Sequence, residues 1–210
     1  MKQLNTYITE YIIKKKLDKP IDSENKYKYF PNTKDELINN IKELFDKGET
    51  DLNCIATNKI TNMADLFFNV RNINFDVSEW DVSNVTNMTN MFYGCSNFKD
   101  NGIENWNVSN VEIFIGMFNY CSNIYDIDFS NWDISNGKYL NSMFFECKKF
   151  KGNGLENWSV GKVKDMSSMF YNCTNFNCDL SNWDVSKVTD MYHMFDGCTS
   201  LKNKPSWYKE

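Results

Sequence analysis

The sequence has 210 residues but one histidine and three prolines, and none of its seven cysteines forms a Cys-x-x-Cys pair. A lone imidazole leaves no histidine cluster for metal or proton-transfer chemistry. No nucleophile and orienting partner are implied beside His193. Without close cysteine pairs the usual spacing of a zinc site is missing. No apolar run is long enough to span a bilayer. Glu10 and Lys14-Lys15-Lys16 interrupt the only stretch where a signal peptide would lie, so no leader or transmembrane segment is expected. A basic surplus is missing too. Net charge is −5, and residues 51–210 carry 13 basic against 19 acidic side chains. That balance argues against a nucleic-acid backbone or an anionic membrane as partner. The acid/base and nucleophile constellations of an enzyme are not in evidence. The expectation is a non-enzyme with no catalytic residues, cofactor or metal.

What the sequence does have is aromatic side chains in register. Aromatic residues make up 16% of the chain. Tryptophan recurs at 80, 106, 132, 158, 183 and 207, at spacings of 26, 26, 26, 25 and 24. A fixed period in this range marks stacked repeats. Aligned on tryptophan, the repeats share columns. Three residues before it stand Val77, Ile103, Phe129, Leu155 and Leu180. Two after it stand Val82, Val108, Ile134, Val160 and Val185. Further on come an all-Met column (Met91, Met117, Met143, Met169, Met194), an all-Phe column (Phe92, Phe118, Phe144, Phe170, Phe195) and an all-Cys column (Cys95, Cys121, Cys147, Cys173, Cys198). A degenerate repeat precedes them, with Ile55 in the tryptophan place and Val70 in the cysteine place.

Ordering a residue costs about 1–2 kcal/mol of backbone entropy. Burying an apolar side chain returns about 1.5–3 kcal/mol. One 26-residue unit has too few apolar side chains to close that gap alone, so neighbours must cover both of its faces.

The expected organisation is an N-terminal helical cap over 1–50, repeats over 51–207 and a short tail at 208–210. Leu4, Tyr7, Ile8, Tyr11, Ile12 and Leu17 keep helical spacing, which predicts a helix over about 3–17. Thr33-Lys34-Asp35-Glu36 reads as a capping box opening a second helix, with Lys47-Gly48 as its stop. Within each repeat the β-branched first half predicts one short parallel strand. The Met-Phe-x-x-Cys half predicts one helical or 3-10 turn.

Stretches such as Trp80-Asp81-Val82-Ser83-Asn84-Val85-Thr86-Asn87-Met88 with Met91-Phe92-Tyr93-Gly94-Cys95 resemble the bacterial surface protein 26-residue repeat of BspA-like leucine-rich-repeat proteins. Trp183–Met191 with Met194–Cys198 matches equally well. The resemblance covers about 55–207. It implies a right-handed leucine-rich-repeat-like solenoid that binds a protein or a glycan in adhesion. It offers no catalytic residues. Similar repeats in bacteriophage genomes give the alternative, a structural or assembly component such as a virion-associated protein, docking through residues 1–50 or 201–210. Without a leader the chain is expected to be cytoplasmic or virion-associated, and at the cell surface by resemblance.

The repeat columns read as packing. Even spacing and apolar neighbours favour the tryptophans as core over a sugar platform, and the column cysteines as buried free thiols. Asp81, Asp133 and Asp184 are too dispersed for a calcium loop. Asn105, Asn131, Asn157 and Asn182, each just ahead of a tryptophan, suggest a hydrogen-bonded ladder. Gly137, in a valine column, suggests local distortion of the third repeat. The candidate partner-binding residues are where the pattern breaks. Ile113, Ile115 and Tyr139 replace polar residues, and Tyr93, Phe145 and Tyr171 share a place just after the phenylalanine column.

Overall fold

A computed structural model of the protein describes residues 26–99 and 102–209. The expected helix over 3–17 lies outside the described residues. The second expected helix is present as α1, Lys34–Asp46. The Thr33 hydroxyl accepts from the Glu36 amide at 3.2 Å. The Glu36 carboxylate reaches back to the Asn32 amide at 2.6 Å, one residue further than in the reciprocal capping box. Leu37, Ile41, Leu44 and Phe45 form the buried face of α1. Gly48, with φ of 78°, turns the chain out of the helix.

Beyond α1 the chain returns on itself at the sequence period. Parallel bridges link Asn62 to Asn87, Asn87 to Ile113, Ile113 to Tyr139, Tyr139 to Asp165, and Asp165 to Asp190. Each step is 25 or 26 residues, the tryptophan interval. The strand is therefore reduced to one bridging residue per repeat. The Met-Phe-x-x-Cys half differs from the helical or 3-10 turn expected for it. It is a run of hydrogen-bonded turns. In the first repeat the Met91 amide donates to the Met88 carbonyl, and the Cys95 amide to the Phe92 carbonyl. The third residue of each such turn has positive φ, namely Asn90 at 51° and Gly94 at 70°, as a type II turn requires.

The physical reason for the departure from helix lies between repeats. Amides that a helix would spend on its own carbonyls are spent on the neighbouring repeat. Met88, Asn90, Phe92 and Gly94 donate to the carbonyls of Ile113, Ile115, Met117 and Asn119 at 2.7–2.9 Å. The same four-bond pattern recurs from each repeat to the next. Among the described residues two single-turn 3-10 helices occur, at Ile103–Asn105 and Leu155–Asn157, each just before a tryptophan.

The columns become stacks. Successive rings of Phe67, Phe92, Phe118, Phe144, Phe170 and Phe195 lie 5.6–5.8 Å apart and nearly parallel. Trp132, Trp158, Trp183 and Trp207 stack at 6.3–6.5 Å. Each indole N–H also finds a backbone acceptor in the preceding repeat, as in Trp158 to the Phe129 carbonyl at 3.0 Å. The indole is thereby buried without an unsatisfied donor.

The third repeat is not distorted at Gly137. The Gly137 amide donates to the Ile134 carbonyl as its counterparts do, and the bridges on both sides of Tyr139 are intact. A Cβ there would meet the Ile134 carbonyl at 3.0 Å, Leu140 at 3.4 Å and the Phe114 ring at 3.6 Å. Phe114 stands where other repeats carry Met or Leu, and Gly137 leaves room for it.

Candidate interaction surface

The outward side of the turn run carries a row of aromatic rings. Phe68 and Tyr93 stack at 4.6 Å. Tyr93 meets Tyr120 edge-on at 5.7 Å, and Tyr120 meets Phe145 at 5.6 Å. Phe145 stacks on Tyr171 at 4.8 Å, and Tyr171 meets His193 at 6.3 Å. The His193 ring lies 3.6 Å from that of Tyr192. The row thus runs across the degenerate repeat and all five full ones.

Three of its members, Tyr93, Phe145 and Tyr171, were legible as a shared column. Phe68 belongs to that column in the degenerate repeat, thirteen residues after Ile55. Tyr120 was missed because the column place in its repeat is Asn119. Tyr120 sits one residue on, at a φ of 58°, and swings into the gap. Tyr120 and Tyr192 are its most exposed members, at 47% and 69%. His193 takes the place held by Asn90, Gly116, Ser142 and Ser168 in the other repeats. It sits in the row with φ of 57°, and its Nδ1 pairs with the Asp196 carboxylate.

Ring orientation limits what the row can bind. Phe68 with Tyr93 and Phe145 with Tyr171 lie within 12° and 8° of parallel, so much of their faces is spent on each other. What the two stacked pairs leave for a partner is their ring edges and the tyrosine hydroxyls. A sugar-stacking platform needs free ring faces. Edges and hydroxyls suit the mixed apolar and hydrogen-bonding contacts of protein interfaces.

The structure places the other three candidates on the bridge ladder. Ile113 and Tyr139 are direct bridge partners, both half-buried. The Ile115 carbonyl accepts from Asn90 at 2.7 Å. Lys138 and Glu112 pair at 2.7 Å beside them. Among the described residues Tyr139 makes no ring contact with the row.

The remaining sequence candidates have structural roles. Asp81, Asp133 and Asp184 each accept from the amide two residues on, closing a small side-chain turn. Bonds from the Ser135 amide and side chain hold the Asp133 carboxyl below its ordinary value, and bonds from the Ser186 side chain and amide do so for Asp184. The asparagines ahead of the tryptophans are exposed and form no ladder among the described residues. Asn105 pairs with its neighbour Glu104 instead. An asparagine ladder exists elsewhere. Asn84, Asn110 and Asn136 donate to the carbonyls of Asn58, Ser83 and Ser109 one repeat back. Each column cysteine donates its thiol to the phenylalanine carbonyl of the preceding repeat, at 2.9–3.0 Å. Burial pushes the thiols of Cys121, Cys147 and Cys173 well above their ordinary range. A polar cleft of about 950 Å³, lined by Asp128, Lys151, Glu156, Cys178 and Asp179 among others, opens on the fourth and fifth repeats. No group of metal-binding side chains is found there or elsewhere among the described residues.

A family model described as "Mycoplasma protein of unknown function, DUF285" matches residues 36–153 and again 116–209. The chain belongs to the DUF285 family. The two DUF285 matches start 80 residues apart, close to three repeats of this chain. No curated protein and no solved structure matches the chain. Among the described residues no helix is long and apolar enough to cross a membrane.

Proposed function

We propose that this DUF285 chain is a non-enzymatic binding scaffold, a right-handed BspA-like, leucine-rich-repeat-like solenoid that recognises a protein through its aromatic row. The observation that carries this reading is the continuity of Phe68, Tyr93, Tyr120, Phe145, Tyr171 and His193 across six repeats. Packing alone asks for apolar columns inside the coil. It does not ask for a side chain such as Tyr120 to fill a gap on the outside. The glycan alternative is weaker because stacked neighbours take up the ring faces. Ile113, Ile115 and Tyr139, on the bridge ladder, are proposed as further contacts for the same partner.

The test is a photo-crosslinking amino acid placed at Tyr120, compared with the same residue at exposed Asn157. Proteins captured from the Tyr120 position are then re-measured against the Tyr93→Ala/Tyr171→Ala chain. The reading predicts a partner whose affinity falls by a factor on the order of 100, as loss of two interface tyrosines implies. Equal capture at both positions, or affinity indifferent to the double variant, would remove it. Binding of a defined oligosaccharide at the row would replace it with the glycan reading. The second reading is an assembly component such as a virion-associated protein, docking through residues 1–50 or 201–210.

A further inference from the structure

Six bridging residues line the ladder, namely Asn62, Asn87, Ile113, Tyr139, Asp165 and Asp190. Four of them also cap the chain that follows. A side-chain oxygen of Asn62, Asn87, Asp165 and Asp190 accepts the amide two residues on, that of Ala64, Thr89, Ser167 and Tyr192, at 2.8–2.9 Å. Such side-chain turns are the ordinary work of Asn and Asp. Ile113 has no acceptor to offer, and the Tyr139 hydroxyl stands at the far end of its ring. The amides of Ile115 and Asn141 accordingly have no acceptor among the described residues.

The two breaks in the pattern are neighbours. Ile113 and Tyr139 are bridged to each other. Bridged chains stand about 4.8 Å apart, so the two uncapped N–H groups lie one repeat step from each other. The charges beside them are unevenly committed. Lys138 and Lys164 each precede a bridging residue, in adjacent repeats. Glu112 is taken by the Lys138 amine at 2.7 Å. Asp165 is taken by the Ser167 amide and hydroxyl at 2.8 and 2.7 Å. Lys164 is exposed and has no ion pair among the described residues. The place therefore holds two donors, an uncommitted amine and two half-buried apolar side chains, and it lacks an acceptor.

We infer that the Ile115 and Asn141 amides, with Lys164 beside them, receive an aspartate or glutamate carboxylate from an acidic segment of a protein partner. The occupant follows from what the other repeats put there, a side-chain oxygen of Asn or Asp on the same amide. A carboxylate has two accepting oxygens, so one group can take both N–H groups. Bonds to an ionised acceptor are about twice as strong as neutral ones. The lysines favour a carboxylate over a carboxamide. Ile113 and Tyr139 offer apolar contact to the residues on either side of it. The inference rests on the binding reading above and adds what the partner brings to Ile113, Ile115 and Tyr139.

The experiment is an amide proton–nitrogen correlation spectrum of the full chain, titrated with an end-blocked heptapeptide of alternating aspartate and glutamate. In the chain alone the Ile115 and Asn141 amides should exchange with solvent about tenfold or more faster than those of Thr89 and Ser167. The peptide should move the Ile115 and Asn141 amide protons downfield, saturably, and leave Thr89 and Ser167 in place. An otherwise identical peptide of asparagine and glutamine should bind about tenfold or more weakly. The double variant Ile113→Asn/Tyr139→Asp carries at both places the residue types of the other repeats. It should slow the two amides to the rate of Thr89 and Ser167 and abolish the shifts. Slow exchange in the unaltered chain without peptide would show that acceptors are already in place, and would overturn the inference. So would absent shifts, shifts that persist in the double variant, or equal binding of the uncharged peptide. Equal shifts from sodium acetate at the same carboxylate concentration would also overturn it, since the place would then take a free small anion. These shifts do not depend on capture at Tyr120, so failure here and failure of the aromatic row are told apart.

Discussion

The thiol of Cys121 donates to the backbone carbonyl of Phe92, one repeat earlier, at 2.9 Å, with both side chains fully buried. The cysteine column is therefore not an apolar column that happens to contain sulfur. It supplies a weak second donor to a carbonyl that already accepts the Cys95 amide within its own turn. Cys121→Ala removes the donor and opens a small void. It should cost about 1–2 kcal/mol, from the lost second bond to the Phe92 carbonyl plus lost contact. Urea unfolding would measure it, and a cost near zero would show that the bond contributes nothing.

The tryptophans make the same kind of bond more strongly. Trp158→Phe keeps a large ring between Trp132 and Trp183 but loses the N–H that reaches the Phe129 carbonyl. A loss of about 1–3 kcal/mol is expected, set by the lost second bond to the Phe129 carbonyl, which keeps the Trp132 amide, and by the smaller ring. Trp207→Phe, at the half-buried end of the stack, should cost less by the same measurement.

Gly137 and Phe114 are coupled. Gly137→Val restores the column residue of the other repeats, yet it drives a branched side chain toward the Phe114 ring and should destabilise by about 1–3 kcal/mol. Adding Phe114→Met, which also restores the common residue, should recover part of that loss. A double-mutant cycle should give a coupling of about 0.5–3 kcal/mol. Strict additivity would mean that Gly137 is not there to accommodate Phe114.

Alkaline pH should destabilise the fold. Burial raises the folded-state pKa of Cys121, Cys147 and Cys173 well above the ordinary 9.0, and that of Cys198 to about 12. The unfolded chain then releases thiol protons that the folded chain keeps. Stability is fully present below about pH 9 and falls as pH rises from there. The urea midpoint should drop steadily from about pH 9 to about pH 10.5, above the ordinary thiol value. Cys121→Val should make the drop shallower. A midpoint independent of pH across that window would contradict the burial of ionisable thiols.

Thiol reactivity should be graded. Cys54 and Cys178 are half-buried and the five column cysteines buried. Cys178 lies 3.3 Å from the Glu156 carboxylate, and burial together with that neighbour pushes its thiol up to about 12. At pH 8 a thiol reagent should modify Cys54 first and Cys178 much more slowly. The column thiols should react only on unfolding, because reaction needs thiolate and access. Peptide mapping of the labelled chain would read the order. Early modification of Cys121 or Cys147 would contradict the packing.

The sequence by itself determined the period, the columns and the capped helix, because each rests on local or one-dimensional signals. Side-chain identity at a fixed spacing reports which positions a stack must bury. Thr33 and Glu36 report a helix start from within a few residues of chain. The tertiary structure alone decided three things. Met-Phe-x-x-Cys became turns instead of a helix because its amides bond to the next repeat, a competitor that no single repeat contains. Asn84, Asn110 and Asn136 became the ladder, while the asparagines before the tryptophans did not, because the acceptors are carbonyls one repeat away. Tyr120 joined Tyr93 and Phe145 although it is out of column, because a left-handed residue redirects its side chain into the gap at Asn119. In each case the deciding partner lies about 26 residues along the chain but one hydrogen bond or one ring contact away in space, and only stacking brings the two together.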